Sequence, residues 1–66
     1  MYVVKEERHG SARRFSVNHA GIKKLYGTEA GVAASLGVDA GELRYQLARR
    51  KGMTFVIKRN GRYWYV

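Results

Sequence analysis

The clearest pattern of apolar and polar positions lies near the C-terminal end of the chain. Residues 53–59 and 62–66 are rich in β-branched and aromatic side chains, and Asn60-Gly61 separates them. Asn-Gly is a preferred pair for a two-residue type I′ turn, and such a turn fixes the register of its two strands. We therefore predict a β-hairpin over residues 53–66, in which Arg59 faces Arg62 and Ile57 faces Trp64.

The two faces of this hairpin differ in composition. One face carries Phe55, Ile57, Trp64 and Val66, with the two arginines at its tip. The other carries Val56, Lys58, Tyr63 and Tyr65. Because the first face is apolar away from the tip, we expect it to pack on the core, with Trp64 as its largest contribution.

Residues 18–26 carry the signals of a first helix. Asn18 is a favourable N-cap, and Val17 and Ile22 have the spacing of a hydrophobic staple. Gly27 then provides a C-terminal stop. We predict a helix over residues 19–26.

Stronger signals predict two further helices. Thr28 can cap a helix over residues 29–36 that ends at Gly37. Asp39 and Glu42 have the spacing of a capping box, which opens a third helix running to about Lys51. Its basic C-terminal end suits the negative pole of the helix dipole.

The N-terminal segment contains two short β-leaning runs, residues 2–7 and 13–17, with His9-Gly10-Ser11 between them. The predicted fold class is therefore α+β, with an N-terminal strand or hairpin (1–17), three helices (18–51) and a C-terminal hairpin (53–66). We expect one domain over residues 1–66, because a chain of this length cannot support two cores.

Charge narrows the choice of partner. Thirteen Lys and Arg residues against five Asp and Glu give a formal net charge of +8. A polyanion is the natural partner of such a chain, because Lys and Arg that neutralise phosphates release condensed counterions.

Several chemistries find no support in the residues. There is no cysteine, and neither His9 nor His19 has the spacing of a metal-ligand pair. Ser11, Ser16 and Ser35 lack a recognisable base and acid around them. We expect no enzyme activity, no cofactor, no metal and no small-molecule substrate. No apolar run approaches the roughly 18 residues of a membrane span, and no signal peptide is recognisable, so we expect a soluble, cytoplasmic protein.

The segment from Val32 to Val38, followed by Leu43 and Leu47, resembles the helix-turn-helix of phage and bacterial repressors. In this resemblance, small Ala33 allows the helices to approach and Gly37 takes the corner. The predicted order of elements is similar to that of Cro-type phage repressors, and a small winged-helix protein is nearly as good a match. The resemblance implies a DNA-binding transcriptional regulator of a bacterial or phage-infected cell, located at the nucleoid.

The resemblance also implies a site. The third helix would lie in the major groove, with base contacts from Arg44, Tyr45, Gly41 and Ala40. Phosphate contacts would come from Thr28, Arg49, Arg50, Lys51, Lys58, Arg59, Asn60 and Arg62. The competing interpretation of these residues is structural: Thr28 only caps its helix, Tyr45 packs on the hairpin, and the cations are a solvated surface.

The function predicted from the sequence is sequence-specific binding of double-stranded DNA. A homodimer is expected, because the last strand can leave an unpaired edge. Two alternatives stay open at this point. One is a protein-interaction module that inhibits a polymerase or a repressor. The other is a single-stranded nucleic-acid or RNA binder that uses the basic aromatic hairpin.

Overall fold

A computed structural model describes the backbone of Met1–Val66 and every side chain except that of His9. The elements in chain order are β1 (Tyr2–His9), β2 (Ala12–His19), β3 (Ile22–Tyr26), α1 (Glu29–Leu36), α2 (Ala40–Arg49), β4 (Met53–Arg59) and β5 (Arg62–Tyr65). The strands form one antiparallel sheet in the order β3-β2-β1-β4-β5. Neither of these two helices is long and apolar enough to cross a bilayer.

The predicted fold class is wrong, because it assigned a helix to a segment in the first half of the chain that forms strands. The protein is α+β, but it has two helices and a five-stranded sheet instead of three helices and a hairpin. The predicted helix over residues 19–26 is the end of β2, a turn and β3. Asn18 pairs with Lys23 and His19 with Ile22, across a turn at Ala20-Gly21.

This turn has an unusual sequence, which explains why it was not recognised. Both of its residues have positive φ, 53° at Ala20 and 78° at Gly21. A two-residue hairpin turn with this geometry usually places Asn, Asp or Gly at its first position, because other residues are strained there. With Ala at that position, the segment carries no turn signal. Pairing with β2 nevertheless stabilises it as a strand.

The other two helix predictions are confirmed. Thr28 is the N-cap of α1, where its Oγ1 accepts a hydrogen bond from the Gly31 N–H at 3.0 Å. Asp39 is the N-cap of α2, where its Oδ2 accepts from the Glu42 N–H at 2.9 Å. Each cap satisfies one of the backbone donors that a helix N-terminus leaves unpaired. The Glu42 carboxylate accepts from Gln46 Nε2 at 3.0 Å, one turn along the same helix.

The core lies between the helices and one face of the sheet. Its sheet residues are Val4, Phe15, Val17 and Val56. Its helix residues are Val32, Ala33, Leu43 and Leu47. Because side chains alternate along a strand, these positions leave the opposite face of all five strands without a covering layer. Contacts place α1 over β2 and β3, and α2 over β4.

The C-terminal hairpin has the predicted register, but the predicted core face is wrong. Arg59 pairs with Arg62, Ile57 with Trp64, and Val56 with Tyr65. Val56 is fully buried, whereas Trp64 is 55% exposed. The reason is that β4 pairs with β1 so that Val56 joins the side carrying Val4, and the helices cover that side.

Three hydroxyl groups sit at the boundary of this core. The Tyr63 hydroxyl donates to the Leu36 carbonyl at 2.5 Å and so connects β5 to the end of α1. Among the described side chains, the buried hydroxyls of Thr54 and Tyr65 have no hydrogen-bond partner. Loss of solvent raises the pKa of the Tyr65 phenol above its ordinary value, with smaller effects from Glu42 and Asp39.

Candidate nucleic-acid interface

A left-handed glycine and two backbone hydrogen bonds define the corner between α1 and α2. Gly37 has φ 77°, a left-handed conformation that favours glycine. The N–H groups of Gly37 and Val38 both donate to the Ala33 carbonyl, at 2.8 and 3.0 Å, which satisfies the end of α1. A Cβ added at Gly37 would lie 3.1 Å from the Tyr63 hydroxyl. Tyr63 of the C-terminal hairpin therefore packs closely against the corner.

The inward face of α2 is apolar except at Gln46. Leu43 and Leu47 are buried and Gln46 is nearly so. The outward face therefore carries Arg44 and Tyr45. The Arg44 side chain is 78% exposed and Tyr45 is 57% exposed.

The remaining predicted base-contacting residues, Ala40 and Gly41, begin the same helix and are exposed. All four residues predicted to contact bases are thus exposed on one helix, and their contact with DNA stays a prediction. Small residues beside Arg44 leave the backbone of α2 open to close approach by a large partner.

Arg44 has an intramolecular partner. Its Nε donates to Glu29 Oε2 at 3.2 Å, which joins the middle of α2 to the first turn of α1. An ion pair with so exposed an arginine adds little to stability, because water screens it. The contact instead orients the Arg44 side chain. Glu29 engages only Nε, and the two terminal nitrogens of the guanidinium are the ones that would bind guanine bidentately.

The basic residues at the C-terminal end of α2 differ in their exposure and contacts. Arg49 and Lys51 are exposed, and Lys51 has a positive φ of 58° as the chain leaves the helix. Arg50 is half-buried, with Nε donating to Gln46 Oε1 at 3.1 Å. Thr28, the remaining candidate near the helices, is exposed but its hydroxyl is engaged in the cap of α1.

The structure places the predicted hairpin cations on both sides of the sheet. Lys58 lies on the helix-covered side, with Nζ 5.3 Å from the centre of the Tyr63 ring. Arg59 and Arg62 project from the opposite side of the sheet, because they alternate with Lys58 and Tyr63. Asn60 forms the turn between them with φ 50°. The predicted phosphate contacts are therefore split between two sides of the molecule.

Sequence reasoning missed the uncovered side of the sheet, which we call the open face. Its apolar residues are Val3, Leu25, Met53, Phe55, Ile57, Trp64 and Val66. Its cations are Lys5, Arg14, Lys23, Arg59 and Arg62. The signal that defines it is strand register, which the sequence revealed for the C-terminal hairpin alone.

One carboxylate lies on the described part of the open face. Glu7 Oε1 is 3.1 Å from Lys23 Nζ and accepts a hydrogen bond from the Ser16 hydroxyl at 3.0 Å. On the helix-covered side, Arg13 Nε pairs with Glu6 Oε1 at 2.6 Å, and this hydrogen bond raises the pKa of Arg13. Both pairs join residues of β1, β2 and β3, so the hairpin formed by β4 and β5 keeps its positive charge.

Among the described residues, no three His, Cys, Asp or Glu side chains form a group that could hold a metal ion. Comparison with family models, curated proteins and solved structures gave no match to this chain.

Proposed function

We propose that this protein binds double-stranded DNA with α2 in the major groove and regulates transcription. The observation that carries the proposal is the exposed face of α2, where Arg44 and Tyr45 project beside Ala40 and Gly41. An α-helix fits the width of the major groove, and small residues allow its backbone to approach the bases.

Arg44 is the residue assigned to base recognition. Its guanidinium can donate two hydrogen bonds to the O6 and N7 acceptors of guanine. Its contact with Glu29 uses Nε and is weak, so DNA can displace or retain it at small cost. Tyr45, one residue along, reaches a phosphate or a thymine methyl group from the same face.

Phosphate contacts supply most of the affinity in this proposal. The net charge of +8 favours binding to any nucleic acid. Arg49 and Lys51 lie at the C-terminal end of α2, where the helix would leave the major groove. Such contacts act on every sequence alike. Since Arg44 and Tyr45 are the long side chains on the reading face, we expect tight binding with modest sequence preference.

The proposal extends to assembly and location. β5 is an edge of the sheet, and an edge strand offers unpaired backbone groups to a second copy. A homodimer would present two α2 helices to a two-fold operator. The expected location is the nucleoid of a bacterial or phage-infected cell.

The test is a binding assay on the full chain with fluorescently labelled duplexes selected from a random pool. Arg44→Ala should lose about 1 to 3 kcal/mol of discrimination at one base pair, because a bidentate contact is removed. Lys51→Ala should weaken all duplexes equally and reduce the dependence on salt by roughly one phosphate contact.

Lys5→Ala is the matched control, because it removes one charge from the opposite side of the sheet. It should leave the ranking of duplex sequences unchanged. If Arg44→Ala weakens every duplex to the same extent as Lys5→Ala, then Arg44 does not recognise a base. If the selected pool shows no enriched sequence, the regulatory proposal is wrong.

A further inference from the structure

A shallow groove of about 630 Å³ lies on the open face, along the C-terminal hairpin. It is lined by Ile57, Arg59, Asn60, Arg62, Trp64 and Val66. Its floor is apolar and aromatic, and two guanidinium groups stand at one end. Trp64 is more than half exposed there, which is unusual for the largest apolar side chain of a small protein.

Among the described side chains, no ion pair involves the two arginines of this groove. Arg59 and Arg62 are directly paired across the strands, where like charges repel. No Asp or Glu occurs in residues 53–66. Glu7, the acid of the open face, lies towards the opposite end of the sheet, because Tyr2 pairs with Val56 and Lys5 with Met53. An occupant that brings negative charge would therefore relieve this repulsion.

The same occupant must also cover an exposed indole. A nucleotide in a single strand meets both requirements, since its base has a planar face that stacks on Trp and its phosphate pairs with Arg. A second copy of this chain meets one requirement only. Its groove could cover the indole, but the lining of that groove brings two more arginines and no acidic side chain.

We propose that the groove on the open face binds single-stranded nucleic acid, with a base stacked on Trp64 and phosphates held by Arg59 and Arg62. This surface is separate from α2, because the sheet lies between them. It adds a second nucleic-acid site to the protein and does not depend on duplex recognition by Arg44. A strand opened next to a bound duplex is the kind of partner that would occupy both.

The chain has one tryptophan, so its fluorescence reports directly on the groove. The full chain is titrated with oligothymidylate, and in parallel with an abasic oligomer of the same length and charge. Stacking should quench Trp64 fluorescence with oligothymidylate. The abasic oligomer should bind through its phosphates and leave the emission largely unchanged.

Variants then measure the contribution of the ring. With a labelled oligothymidylate, Trp64→Ala should raise the Kd about fivefold to a hundredfold, the range expected for loss of one stacked base. Trp64→Phe should retain most of the affinity, and Arg59→Gln should reduce the salt dependence. Tyr45→Ala is the matched comparison, because Tyr45 is as exposed as Trp64 but lies on α2. It should change duplex binding and leave the oligothymidylate titration as it was.

Three results would overturn the proposal. One is equal quenching by the abasic oligomer, which would show phosphate binding without stacking. Another is an unchanged Kd for Trp64→Ala when circular dichroism shows the native fold. The third is a Trp64-dependent dimer in sedimentation without oligomer, which would make a second copy the occupant. Duplex discrimination through Arg44 is measured separately, so the two proposals can fail independently.

Discussion

The turn between β2 and β3 makes a sharp test of the fold. Ala20 is exposed and has φ 53°, within the left-handed region. An L-residue such as Ala pays about 1 kcal/mol or more in this conformation, whereas Asn tolerates it through local hydrogen bonds. We therefore expect Ala20→Asn to raise the free energy of unfolding by about 1 kcal/mol.

The expected change is large enough to measure easily. For a domain of 60 to 100 residues, about 1 kcal/mol corresponds to a rise in Tm of roughly 4 to 8 °C. Thermal unfolding followed by far-ultraviolet circular dichroism gives this shift. Urea unfolding at constant temperature provides the free energy directly, provided that the slope with denaturant is unchanged.

Ala34→Asn is the control, because Ala34 is an exposed residue within α1. The same chemical change there should lower stability by about 0.5 kcal/mol, since Asn has a lower helix propensity than Ala. The two variants should thus shift Tm in opposite directions. If both shift it downwards, residue 20 does not adopt the left-handed conformation of this turn, which contradicts the hairpin formed by β2 and β3.

Three hydroxyl groups provide further tests by urea unfolding. Thr54 is fully buried without a hydrogen-bond partner for its hydroxyl, so Thr54→Val should raise the free energy of unfolding by about 1 kcal/mol. A clear decrease would contradict that assignment. Tyr63→Phe removes the bond to the Leu36 carbonyl and should cost about 1 kcal/mol. Tyr65→Phe, which removes an unpartnered hydroxyl, should cost nothing; equal losses at both tyrosines would refute the link between β5 and α1.

Local signals in the sequence predicted the elements whose formation depends on neighbouring residues. Thr28 and Asp39 were recognised as N-caps, because each side chain bonds a backbone N–H three residues away. Gly37 was recognised as the corner because few other residues adopt its conformation. Asn60-Gly61 fixed the register of the last hairpin for the same reason.

These local signals also placed part of the candidate site. The positions of Leu43 and Leu47 on one side of α2 determine that Arg44 and Tyr45 lie on the other. They could not show that Glu29 contacts Arg44, because that contact joins two elements. Nor could they show that Arg59 and Arg62 lie on the far side of the sheet from α2.

By itself, the sequence determined the two capped helices, the glycine corner, the final hairpin and a strongly basic surface. Tertiary structure decided whether residues 19–26 form a helix or a strand, because their weak local preferences yield to hydrogen bonding with β2. It also decided which face of the last hairpin is buried. Both faces contain large apolar side chains, and pairing of Tyr2 with Val56 sets which one meets the helices and which one, with Trp64, is left open.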